Sequence, residues 1–61
     1  MNKEKYIEAM AEAIERNKKQ IIQEIEKNEF VPAQHTLNNL RDLSTQKLLM
    51  EQIVRYERDS M

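Results

Sequence analysis

Sixty-one residues without a single cysteine or glycine make one domain at most. A chain this short buries only about 60% of the surface its unfolded form exposes, so its core is marginal. Disulfides, thiolate zinc sites, glycine-rich phosphate loops and dinucleotide fingerprints are all excluded by those two absences.

The remaining way to add buried surface is another subunit, and a homodimer is the expectation. Ten basic residues stand against eleven acidic ones, a net charge of −1. That balance lacks the basic excess usual in nucleic-acid binders. No apolar run reaches eight residues, so neither a membrane span nor a signal peptide is expected, and the chain reads as a cytoplasmic protein. Its use of Lys, Ile, Asn and Glu fits a bacterial or phage source. With one proline and three aromatics, the composition is that of an all-α protein.

Helix 1 is predicted over about residues 3–28, with Asn2 as its N-cap. Ile7, Met10, Ala11, Ile14, Ile21, Ile22 and Ile25 fall within an arc of about 120° on one side of that helix. Glu12 and Arg16, and Glu15 and Lys19, sit four apart on the polar side and read as a solvated surface. One gap interrupts the apolar stripe, at Asn17 and Lys18. Heptad spacing of Ile7, Ile14 and Ile21 makes Asn17 either a register-fixing polar residue in the seam or a wet edge position.

Asn28 tolerates the left-handed conformation of a helix stop. The spacing predicts a connection over residues 29–31 and a second helix from Pro32 to about residue 58, with 57–61 fraying. So short a link makes the helices antiparallel neighbours, with Phe30 and Val31 capping the end of the core. Leu37, Leu40 and Leu43 define one face of helix 2. Its second half, with Leu48, Leu49, Met50, Ile53, Val54 and Tyr56, centres its apolar face roughly 100° away. Either the helix kinks near residues 43–45, or one long helix touches two neighbours. The second reading is preferred: Leu43, Met50 and Val54 face helix 1, and Leu49, Ile53 and Tyr56 form a separate stripe. The expected architecture is an antiparallel two-helix hairpin that dimerises into a four-helix bundle. This layout resembles the repressor-of-primer dimer at the level of fold; no motif is shared, and no residue role follows from it.

Chemistry is mostly excluded. Ser44, Thr45, Thr36 and Ser60 have only His35 as a possible base, and Thr36 is turned about 100° from it on a helix. A di-iron bundle needs Glu-x-x-His, and Pro32 occupies the position three before His35. His35 itself reads as a surface residue. The segment Thr45-Gln46-Lys47-Leu48-Leu49, followed by Ile53 and Tyr56, is similar to the second helix of the small aspartyl-phosphate phosphatases of the sporulation pathway. That family carries Ser-Gln-Glu-Leu-Asp there. Leu49 replaces the acid its activity requires and Lys47 replaces the Glu, so the activity does not carry over. No enzyme, cofactor, metal or small-molecule substrate is expected.

Binding remains. Phe30, Val31, Leu49, Ile53 and Tyr56 are the candidate protein-interaction residues of a small regulatory module that docks on another protein, such as a transcription regulator or host enzyme. The alternatives are an RNA- or DNA-binding bundle using Arg41, Arg55 and Arg58, which lie near one another in projection, and a structural or assembly subunit.

Overall fold

A computed structural model describes residues 2–60. Among them the chain forms α1, Lys3–Glu26, and α2, Phe30–Asp59, packed together as a helical hairpin about 50 Å long and 15 Å across. The Asn2 side chain accepts from the backbone N–H groups of Glu4 and Lys5, at 2.9 and 3.3 Å, and so caps α1. At the other end of α1 the chain leaves through Asn28, at φ 60°. The Asn28 N–H donates to the Ile25 carbonyl, and the Glu29 N–H to that of Glu24, at 3.0 and 2.8 Å. This is the paired 5→2 and 6→1 bonding of a Schellman stop, with asparagine in the left-handed position usually held by glycine.

The connection is therefore Lys27, Asn28 and Glu29, two residues earlier than the proline suggests. α2 begins at Phe30, with the Ala33 N–H bonded to the Glu29 carbonyl at 3.0 Å. Pro32 is the third helical residue, where an N–H has no intrahelical acceptor and its loss costs nothing. At the far end α2 runs to Asp59, within one residue of the expected limit, so residues 57–59 belong to the helix, and it passes residues 43–45 without a break. Met61, assigned to the frayed end, lies outside the described residues.

Contacts at both ends set the register. Lys3 at the start of α1 pairs with Glu57 at the end of α2, and Thr36 meets Glu24 near the turn. Between them α1 presents Ile7, Met10, Ile14, Asn17, Ile21 and Glu24, all buried or half-buried. α2 answers with Ala33, Thr36, Leu40, Leu43, Lys47, Met50 and Val54. Both series step by alternating threes and fours, the spacing of a coiled-coil seam. The apparent 100° rotation along α2 vanishes once Thr36 and Lys47 are admitted to that seam. Lys47 lays its aliphatic stem there and carries its ammonium out to Glu51.

Asn17 is in the seam as well. It is half-buried, and its Nδ2 donates to the Ala13 carbonyl of its own helix at 2.8 Å. Thr36 is the most enclosed polar residue, 4% exposed. Its hydroxyl donates to Glu24 Oε1 at 2.6 Å and accepts from Gln20 Nε2 at 3.4 Å, with the Pro32 carbonyl 3.1 Å away.

One neighbouring helix covers a seam, not an arc of 120°. Ile22 and Ile25, grouped by periodicity with the core face of α1, are more than half exposed, and so is Leu37 of α2. The buried apolar residues among those described are Met10 and Ala33 alone. As a monomer the hairpin has a seam and almost no interior.

Candidate protein-interaction surface

The side chains that the seam leaves over divide between two flanks of the hairpin. Leu49, Ile53 and Tyr56 stand on one flank of α2, spaced by four and three so that they stack along a single stripe. All three are exposed, Tyr56 by 74%, and with Gln52 and Glu57 they line a shallow apolar groove near the open end of the hairpin. Half-buried Tyr6 of α1 projects toward the same flank.

On the opposite flank lie Phe30, Leu37 and Leu48 of α2, which are 64, 52 and 56% exposed. In an antiparallel pair, the side of α1 carrying Ile22 and Ile25 turns to this same flank. These large apolar groups concentrate toward the connection. Ile14, Ser44, Lys47, Leu48 and Glu51 line a second shallow depression on this side.

Phe30 and Val31 do not cap the core. Both sit in the first turn of α2 with most of their surface in solvent, and one residue of helical rotation sends them to different flanks. The reason is the early helix start: an extended segment could fold over the end of the seam, whereas a helical one projects outward. The five candidate residues therefore do not form one patch. Leu49, Ile53 and Tyr56 do, Phe30 joins the opposite flank, and Val31 stands alone at the turn.

The three arginines are likewise divided. Arg55 and Arg58 line a cleft with Glu4, Ile7, Glu51 and Val54, so the basic pair sits among carboxylates. Arg41 is fourteen residues before Arg55, roughly 21 Å along the helix, with its Nε 3.8 Å from Asp42. His35 is exposed in the second turn of α2. Among the described residues, no three His, Asp or Glu side chains converge as a metal-ion set, and no helix is long and apolar enough to cross a membrane.

Periodicity missed Ile22, Ile25, Leu37 and Leu48 as surface residues. The available signal was the width of the α1 stripe, which exceeds what one neighbour covers. Comparison with protein-family models, with curated proteins and with solved structures gave no match.

Proposed function

We propose that this chain is a small, dimeric, cytoplasmic regulatory protein without catalytic activity, which docks on another protein and modulates it by stoichiometric binding. The contact is the stripe Leu49, Ile53 and Tyr56. The observation that carries this reading is the exposure of that stripe on an unbroken helix, with the aromatic residue the most exposed of the three. Apolar anchors at helical spacing are what an amphipathic helix lays into a partner's groove. A tyrosine contributes a large apolar body with a polar tip, a combination enriched at interface centres. The shallow groove that these residues line would receive a protruding side chain from the partner.

The test is affinity capture from host lysate, with and without nuclease, using the native chain alongside Leu49→Asp and Tyr56→Ala. Support would be a single protein retained in stoichiometric amount, resistant to nuclease and lost with both variants while their oligomeric state is unchanged. Capture that survives both substitutions clears the stripe of this role. Retention that disappears with nuclease transfers the function to Arg55 and Arg58.

A further inference from the structure

We infer that the flank carrying Ile22, Ile25, Leu37 and Leu48 is covered by a second copy of this chain, with both connections at the same end of the bundle. In this arrangement α1 of each copy lies over α2 of the other. The inference rests on the dimeric part of the proposed function and specifies its geometry.

The surface area calls for such a partner. A compact 7.4-kDa protein exposes about 4200 Å² by the usual scaling of area with mass. This hairpin exposes 5075 Å². The excess, roughly 900 Å², is close to the approximately 800 Å² that each partner contributes to a standard interface.

Which flank is covered follows from the placement of its side chains. A second hairpin lying across both helices needs apolar groups from both. The flank with Ile22 and Ile25 supplies them from α1, and Phe30, Leu37 and Leu48 from α2. The Leu49 stripe draws its large exposed apolar residues from α2 alone, a footprint suited to a narrower contact.

The uneven distribution along the flank decides the direction. Near the connection its large side chains are apolar, with Arg41 and Lys18 the charged groups at their margin; near the open end it carries Glu4 and Glu8 on α1, and Arg55 and Arg58 on α2. Among the described residues none of these four makes an ion pair within the chain. A twofold axis along the hairpin brings Ile22 and Ile25 over the partner's Leu37, Ala11 over its Leu48, and Glu4 and Glu8 over its Arg55 and Arg58. Lys18, already 3.5 Å from Glu15, falls beside Ser44. With the connections at opposite ends, Ile22 and Ile25 would cover Glu8 and Glu4, and Leu37 would lie against Arg55. That arrangement desolvates those charges against apolar side chains, leaving them only the opposite charges of their own cleft. Apolar therefore meets apolar, and acid meets base, only when the connections lie together.

Two measurements on the full chain test this. Sedimentation equilibrium should give a dimer for the native protein and a monomer for Leu37→Glu. Spin labels at Glu29→Cys should report an intermolecular separation of about 20 Å, against about 40 Å for connections at opposite ends. Because Leu37→Glu could unfold a hairpin that needs its partner, a charge-swapped pair gives an independent reading. Glu4→Arg with Glu8→Arg in one chain, and Arg55→Glu with Arg58→Glu in another, should each weaken self-association about tenfold at low salt. Mixing the two should restore it as a heterodimer. A monomeric native chain, a Leu37→Glu dimer, a separation near 40 Å, or swapped chains that do not prefer one another would each overturn the inference. Loss of partner capture by Leu49→Asp in an intact dimer would leave it standing, and the reverse result would leave the partner stripe standing.

Discussion

Thr36 and Glu24 meet across the hairpin, the threonine hydroxyl donating to the carboxylate at 2.6 Å from a position that is 4% exposed. Gln20 reaches the same hydroxyl at 3.4 Å and the other carboxylate oxygen at 3.5 Å, so three polar side chains share the last layer before the connection. A hydrogen bond to a charged acceptor contributes about 1.5–3 kcal/mol when well enclosed. Glu24 is half-buried, which reduces that figure. Thr36→Val keeps the shape and removes the hydroxyl, and should lower stability by about 1 kcal/mol. In thermal unfolding followed by circular dichroism, that is a drop of roughly 4–8 °C for a chain of this size. Glu24→Gln retains an acceptor and should lose less. An unchanged midpoint for Thr36→Val would mean that the layer is held by its methyl contacts alone.

The start of α1 offers a local counterpart. Asn2 accepts from two of the four N–H groups that have no acceptor within the helix. Asn2→Ala should cost about 1 kcal/mol, most of it as fraying of the first turn. Amide exchange should accelerate at Glu4 and Lys5 while the seam near Met10 keeps its protection. Uniform acceleration along α1 would show that the cap supports the whole hairpin, through the neighbouring Lys3–Glu57 pair.

Much of this fold was legible in the residues. A chain without glycine, with Ile7, Met10, Ile14 and Ile21 at heptad spacing, has few options besides a long helix, and Asn28 announces its stop. The start of α2 was harder to place, because Pro32 marks a permitted position anywhere in a first turn and not one particular residue. α2 hid its seam because Thr36 and Lys47 occupy positions where an apolar residue is expected, while Leu37 and Leu48 stand on the flank. The stripe of Leu49, Ile53 and Tyr56 was visible because its spacing is self-consistent. Phe30 and Val31 could not be assigned without knowing whether their backbone is helical, since one residue of rotation decides which flank each joins. The arginines looked clustered only in projection, which discards the 21 Å or so of helix between Arg41 and Arg55.

Asn17 tests how far the seam tolerates polarity. It occupies an inward position yet spends its Nδ2 on the Ala13 carbonyl, so its amide contributes little to the contact between the helices. Asn17→Leu should raise stability by about 1 kcal/mol, from the added apolar area against α2. A higher melting midpoint with unchanged helical content is the expected result. A lower one would mean that the polar group selects this register over its alternatives, as asparagine does at inward positions of coiled coils.

Reversal of the chain depends on Asn28, the one residue with positive φ among those described. An ordinary side chain in the left-handed region costs about 1–2 kcal/mol, because its Cβ crowds the carbonyl. Asparagine is among the residues that visit this region most readily, and glycine carries no such penalty. Asn28→Ala should therefore destabilise the hairpin by about 1 kcal/mol, with β-branched Asn28→Val worse. Asn28→Gly should be neutral or slightly stabilising, its easier turn offset in part by a more flexible unfolded chain. Ranking the midpoints as Gly at or above Asn, then Ala, then Val would assign the reversal to backbone geometry at this position. If alanine matched asparagine, the two hydrogen bonds to Glu24 and Ile25 would be strong enough to hold the turn whatever side chain it carries.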